Sequence, residues 1–123
     1  MTAMPGTTPI SVSTERIGAI AILHLFGELD LATVDHVDRE ITAAVSDISA
    51  LVIDLDGLSF LASTGLSLLA RWSQRATADG FDLRIVATRR QALRPLQITG
   101  LDEVLTIDAT VDEALVATPR RVG

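Results

Sequence analysis

Apolar residues recur along this chain with two different periods, and the alternation between them predicts its secondary structure. Short apolar runs bounded by glycine or polar residues are typical of strands. They occur at residues 10–13, 18–25, 50–55, 83–87 and 104–107. Apolar residues three and four positions apart are typical of amphipathic helices. They occur at about residues 32–46, 63–78, 91–99 and 110–117.

The order of these elements, β-β-α-β-α-β-α-β-α, predicts the fold class. Strands that alternate with helices form a sheet covered by helices. We therefore expect one α/β domain over residues 10–117, with a mixed, mostly parallel sheet and about four helices. Residues 1–9 are small, polar and proline-containing and are expected to form a flexible arm, and residues 118–123 a flexible tail.

The core is expected around the third predicted strand. Leu51, Val52 and Ile53 are consecutive apolar residues, as in strands that are buried on both faces. Leu69 lies on the apolar side of the next helix. All four side chains are therefore predicted to be buried.

Two adjacent hydroxyl residues, Ser63 and Thr64, open the helix that follows this strand and a short polar turn. A helix N-terminus has free backbone N–H groups and favours negative charge. A hydroxyl there can act as a helix cap, a nucleophile or a phosphate acceptor. Helix caps strongly prefer serine and threonine, so capping is the simplest interpretation.

Composition and charge exclude several classes of function. The net charge is −6, and all ten positive residues are arginines. Nucleic-acid binding, which requires a basic surface, is therefore not expected, nor is any chemistry that needs a lysine. The chain has no cysteine, so disulfides and thiolate metal sites are excluded. No apolar stretch is long enough to cross a membrane and no signal peptide is evident, so a cytoplasmic location without membrane insertion is expected.

The remaining residues do not assemble a credible enzyme site. His24 lies within a strand, where a packed or edge position is the ordinary role, and His36 is on the polar side of a helix. The carboxylate pairs Asp54/Asp56 and Glu28/Asp30 could bind a metal, but such residues more often cap turns and helices. We therefore expect structural carboxylates, no metal, no cofactor and no enzymatic activity.

Three segments resemble the signatures of one known family, the STAS domains. They are Gly27-Glu28-Leu29-Asp30, residues 54–66 (Asp-Leu-Asp-Gly-Leu-Ser-Phe-Leu-Ala-Ser-Thr-Gly-Leu) and residues 100–105 (Gly-Leu-Asp-Glu-Val-Leu). Their order and spacing match the family over nearly the whole chain. A stand-alone STAS domain of this length most resembles the bacterial anti-sigma factor antagonists.

The resemblance implies a function and a site. In such proteins the serine at the position of Ser63 is phosphorylated by the partner, an anti-sigma factor with serine-kinase activity. The unphosphorylated antagonist binds that partner and frees the sigma factor. Ser63 is therefore the expected phosphoacceptor, with Thr64 as the second candidate. The expected partner-binding residues are Gly27, Glu28, Leu29, Asp30, Ala62, Ser63, Thr64 and Gly65.

One position departs from the family pattern, and two alternatives remain. Ala62 stands where the family usually has an aspartate, so a carboxylate beside Ser63 is missing. One alternative is a constitutive binder in which Ser63 only caps its helix. Alternatively, the chain is a STAS subunit of a membrane lipid or anion transport complex. No particular oligomeric state is predicted.

Overall fold

A computed structural model describes residues 10–118 as a five-stranded sheet with helices on both faces. The predicted arm at residues 1–9 and residues 119–123 of the predicted tail lie outside the described part. The strands are β1 (Ser11–Ile17), β2 (Ile20–Leu29), β3 (Ala50–Leu61), β4 (Asp82–Val86) and β5 (Thr106–Asp108). The helices are α1 (Val34–Ala44), α2 (Ser63–Asp79), α3 (Arg90–Thr99), α4 (Leu101–Val104) and α5 (Val111–Ala117).

The strands lie side by side in chain order, β1-β2-β3-β4-β5. β1 pairs with β2 in the antiparallel direction, and the other neighbours are parallel. The carboxyl ends of β2, β3, β4 and β5 therefore all lie at the same edge of the domain. The predicted α/β class and the mostly parallel sheet are confirmed.

The larger core lies on the face of the sheet that packs against α1, α2 and α3. Leu51, Ile53 and Leu69 belong to this core, and Val52 belongs to a smaller cluster that includes Ala114 of α5. All four predicted core residues are fully buried. The two faces thus differ, because three helices cover one face and the short helix α5 covers part of the other.

Three strands are longer than their apolar signals predicted. β2 was expected at residues 18–25 but continues to Leu29, because it remains paired with β3. β3 was expected to end at residue 55 and to be followed by a turn, but it continues to Leu61. Leu58 and Leu61 both lie in the core. Leu58 breaks the alternation set by Leu51, Ile53 and Leu55 and Leu61 returns to it, and two register shifts against β2 accommodate these changes. β1 was expected at residues 10–13 but extends to Ile17, because pairing with β2 satisfies the backbone of a mostly exposed strand.

The expected strand at residues 104–107 was partly wrong. Leu101–Val104 forms the short helix α4, and the strand β5 begins at Thr106. Gly100 adopts a left-handed conformation with φ of 77°, which ends α3 and redirects the chain into α4. The backbone N–H of Leu105 then donates to the carbonyl of Leu101 at 2.8 Å, so this segment satisfies its backbone as a helical turn.

Two threonines hold the described residues at the end of the domain. Thr110 caps α5, because its hydroxyl oxygen accepts the N–H of Glu113 at 3.0 Å. Thr118 was assigned to the tail, but its side chain is buried and its hydroxyl donates to the carbonyl of Ala114 at 2.7 Å. Within residues 10–118, no helix has the length and apolar character to span a bilayer.

Candidate functional site

The first two signature segments meet at the carboxyl ends of β2 and β3. Glu28 is in register with Phe60, and Leu29 with Leu61. The backbone N–H of Ala62 donates to the carbonyl of Leu29 at 2.9 Å. This parallel pairing places the loop after β2 beside the start of α2, although the segments are about thirty residues apart in the chain.

Ser63 is the first residue of α2, and its side chain is exposed. The N-cap position belongs to Ala62, which has an extended backbone and whose side chain makes no capping hydrogen bond. The carbonyl of Ala62 accepts the N–H groups of Gly65 and Leu66 at 3.0 and 3.1 Å. The interpretation of Ser63 as the helix cap is therefore wrong, because a residue inside the first turn does not occupy the capping position.

This geometry explains what the alanine at position 62 changes. An aspartate at an N-cap accepts an N–H group of the first turn, and its replacement by alanine costs about 0.5–2 kcal/mol of stability. Ala62 provides no such acceptor, so the start of α2 keeps its positive electrostatic character without a neighbouring carboxylate at the cap. The helix end is consequently suited to an external anion.

Thr64 differs from Ser63 in its exposure. Its hydroxyl oxygen is completely buried and makes no hydrogen bond with the described part of the chain. A kinase needs an accessible hydroxyl in line with the γ-phosphate. The arrangement favours Ser63 over Thr64 as an acceptor.

Gly65 and Leu29 contribute to the site from below the surface. Leu29 is fully buried in the main core, and Gly65 is buried as well. A Cβ at position 65 would lie 2.7 Å from Cδ1 of Leu61 and 2.8 Å from Cγ of Leu29. Glycine therefore allows the first turn of α2 to pack against the ends of both strands. These two residues position Ser63 and do not present side chains to a partner.

The loop between β2 and α1 is held by its own hydrogen bonds. The hydroxyl of Thr33 donates to the carbonyl of Glu28 at 2.7 Å and accepts the N–H of Asp30 at 3.0 Å. The carboxylate of Asp30 accepts the N–H of Ala32 at 3.0 Å. The sequence did not single out Thr33, although a threonine three residues after an aspartate at a predicted helix start was a usable signal. The expected structural role of Asp30 is confirmed.

Asp56 links β3 to the start of α3. Its carboxylate accepts the N–H groups of Thr88 and Arg89 at 2.8 and 3.1 Å and the hydroxyl of Thr88 at 3.0 Å. Partial burial raises the pKa of Asp56, but these hydrogen bonds and the charge of Arg89 lower it by more, so the pKa lies below its ordinary value. Asp56 is therefore a structural carboxylate, as expected.

His24 bridges two carboxylates on the face of the sheet opposite the main core. Its Nδ1 lies 2.8 Å from Asp54 Oδ2, and its Nε2 lies 2.6 Å from Glu15 Oε2. Partial burial lowers the pKa of His24, but the hydrogen bonds and charges of Asp54 and Glu15 raise it by more, so the pKa lies above 6.5.

His36 is exposed, as expected. Among residues 10–118, no group of side chains has the composition of a metal site.

We expect the stability of the protein to depend on pH through His24. Because its folded-state pKa is raised, its contribution is fully present below pH 6.5 and is lost as pH rises through the folded-state pKa. The free energy of unfolding in urea, measured from about pH 5 to about pH 9, should lose this component in a His24→Gln variant. A His36→Gln variant is the control and should retain it. An identical pH profile for wild type and His24→Gln would contradict the prediction.

Comparison with known proteins extends the resemblance found in the sequence. The STAS domain model matches residues 11–114. The chain is 33% identical over 113 residues to the anti-sigma-F factor antagonist RsfB of Mycobacterium tuberculosis, covering 91% of this chain and 92% of that protein. It is 30% identical over 120 residues to the antagonist RsfA of the same species, covering 91% of this chain and 93% of RsfA.

One solved structure has a similar fold over nearly the whole chain. The crystal structure of an anti-sigma factor antagonist from Mycobacterium paratuberculosis matches with a TM-score of 0.79 and 32% identity. The match covers 95% of this chain and 98% of that one. These relatives carry the names of regulatory proteins, in agreement with the expectation that the chain is not an enzyme.

Proposed function

Since the chain belongs to the STAS domain family, we propose that it is an anti-sigma factor antagonist that binds an anti-sigma factor and thereby releases a sigma factor. The observation on which this rests is the exposed Ser63 at an uncapped helix start, beside residues Glu28, Leu29 and Asp30 at the end of β2. The names of the relatives RsfB and RsfA support the same role.

The proposed partner-binding surface consists of the exposed and half-exposed residues around the start of α2. Gly27, Glu28 and Asp30 belong to the β2 side, and Ala62 and Ser63 to the α2 side. Leu29, Thr64 and Gly65 support this surface from within. Two of its five residues, Glu28 and Asp30, are acidic, so the part of the partner that faces the β2 side is expected to be basic.

We further propose that phosphorylation of Ser63 controls this interaction. A phosphate adds about −1.5 to −2 charges and three acceptor oxygens. In the free protein, water and the N-terminal N–H groups of α2 can accommodate it. In the complex the same charge would be desolvated, so the phosphorylated protein should dissociate. The kinase is proposed to be the anti-sigma factor itself, which would supply the catalytic base and Mg²⁺.

The absence of an aspartate before Ser63 does not prevent this reaction in our proposal. The substrate needs to present an exposed hydroxyl, and the backbone of α2 presents that of Ser63 without help from position 62. The carboxylate would be a source of partner affinity or local order, and not a catalytic group of this chain.

Incubation with ATP and a partner tests both parts of the proposal. ATPase-fold anti-sigma factors from the same genome would be purified and titrated against the protein by calorimetry, and the binding partner would then be incubated with it and Mg-ATP. We expect one phosphate on Ser63 by mass spectrometry and none in a Ser63→Ala variant. Phosphate on Thr64 would move the acceptor by one residue. No phosphate from a kinase that is active on another substrate would reject the switch while leaving the binding function intact.

A further inference from the structure

The aromatic residues of this protein are divided between the core and one exposed patch on the sheet. The chain has one tryptophan, three phenylalanines and no tyrosine. Trp72 and Phe81 are buried in the main core. Phe26 and Phe60 are 48% and 50% exposed. Half of the aromatic residues are thus held at the surface, although the core would gain from burying them.

Phe26 and Phe60 are neighbours on the same face of the sheet. Their chain neighbours Leu25 and Leu61 lie in the main core, and side chains alternate along a strand, so both rings point to the opposite face. Phe60 is in register with Glu28, which is two residues beyond Phe26 on β2. The two Cα positions are therefore separated by roughly 7 Å along the strand and 5 Å across it.

The lack of a side chain at Gly57 leaves space for the ring of Phe26. Phe26 is in register with Gly57. A Cβ at position 57 would lie 2.5 Å from Cδ1 of Phe26 and 2.4 Å from the carbonyl oxygen of Leu25. Gly57 therefore lets the ring lie close against β3. The ring is held in place by the sheet, which reduces the conformational entropy that it would lose on binding a partner.

Within residues 10–118, no helix covers these two rings as fully as α1, α2 and α3 cover the main core. The cluster formed with α5 contains Ile22, Val52 and Val86, and neither phenylalanine belongs to it. Polar groups border the rings. Glu28 is adjacent to both, since it is in register with Phe60 and two residues after Phe26, and His24 is two residues before Phe26. Aromatic side chains surrounded by a polar rim are typical of the energetic centre of a protein interface.

We propose that Phe26 and Phe60 are the apolar anchors of the interface with the anti-sigma factor, which therefore extends from Ser63 around the sheet edge onto the face opposite α2. This inference rests on the proposed function. Phe60 is three residues before Ser63, and Glu28 belongs to the proposed partner-binding surface and is in register with Phe60. The anchors are thus continuous with that surface. The matching partner surface is an apolar pocket bordered by basic side chains.

Charge favours this partner over a second copy of the chain. In a symmetric dimer the same patch meets itself. Two copies would bring both Glu28 side chains into one interface, between chains that each have a net charge of −6. Such like-charge contacts are unfavourable in a desolvated interface. A partner with basic side chains around an apolar pocket has no such conflict.

Single serine substitutions test the inference. The variants Phe26→Ser and Phe60→Ser would be titrated by calorimetry against the purified anti-sigma factor that binds the wild-type protein, without ATP. We expect each to weaken binding by about tenfold or more, as for aromatic residues at interface centres. The control is Val116→Ser, because Val116 is 86% exposed on α5 and its neighbour Ala117 lies beside Ser49 and Gly80, at the other end of the sheet. Its affinity should stay within about twofold of wild type.

The outcomes separate this inference from the proposed function. If no anti-sigma factor binds the wild type, the proposed function fails. If the wild type binds and both variants bind equally well, the function stands and the anchors are wrong. Urea unfolding of each variant checks folding, and Phe60→Ser remains informative if Phe26→Ser is unstable, because the close approach to Gly57 is made by the ring of Phe26. Light scattering tests the alternative of self-association. The proposal would be overturned if the wild type were a dimer, the variants were monomers and the affinity for the partner were unchanged.

Discussion

A Ser63→Glu variant is expected to lose most of its affinity for the anti-sigma factor. Phosphorylation of Ser63 is expected to lower that affinity by about a thousandfold. Ser63 is exposed in the free protein, so an added charge remains in water near a helix N-terminus that tolerates it. In the proposed complex the basic side chains of the partner pair with Glu28 and Asp30, so the charge added at Ser63 would be removed from water without a cation of its own. An uncompensated buried charge costs about 3–5 kcal/mol. Since 1.4 kcal/mol is tenfold, about 4 kcal/mol corresponds to the thousandfold loss.

Two controls make this result specific. Ser63→Ala should bind about as well as wild type, because the proposed complex forms with the unphosphorylated hydroxyl. Ser46→Glu places the same charge on an exposed serine near the start of β3, away from α2's N-terminus, and should have little effect. The measurement is a calorimetric titration against the same purified partner. Equal affinity of Ser63→Glu and wild type would place the interface elsewhere on the molecule.

A Leu69→Ala variant is expected to lose about 2–5 kcal/mol of unfolding free energy. Leu69 is 0% exposed and lies in the main core on α2. Truncation removes its apolar contacts and leaves a cavity, whose cost depends on how far the surrounding side chains relax. Because α2 also positions Ser63, part of the antagonist activity should be lost at temperatures where the variant begins to unfold.

Urea unfolding monitored by circular dichroism would measure this effect. Leu31→Ala is the matched control, since the same atoms are removed from a side chain that is 78% exposed. It should change stability by less than about 0.5 kcal/mol. A loss within experimental error for Leu69→Ala would contradict the position of Leu69 in the packed core.

The amino-acid sequence by itself determined the class of fold and the main elements. The helix predicted at residues 63–78 is α2, Ser63–Asp79, because a long apolar period and the stop at Gly80 are local signals. The core positions were also predictable. Leu51, Val52 and Ile53 form a consecutive apolar run typical of a buried strand, and Leu69 follows the helical period. The family signatures identified Ser63 as a candidate without any knowledge of its surroundings.

The tertiary structure decided which residues of the site reach the surface. Leu29 and Gly65 belong to the signatures, yet they are buried where α2 packs on β2 and β3. The hydroxyls of Ser63 and Thr64 are adjacent in the sequence, but one side chain is exposed and the other oxygen is buried. These differences depend on the direction of each side chain relative to the packed elements, which local periodicity does not encode.

The pairing of strands likewise decided contacts that are distant in the sequence. β3 extends to Leu61 and β1 to Ile17 because neighbouring strands supply hydrogen bonds to segments with a weak apolar signal. The bridge from His24 to Glu15 and Asp54 and the neighbouring rings of Phe26 and Phe60 arise from the same pairing. Register is a property of two strands together, so a pattern read along one segment determines which residues are apolar but not which residues they meet.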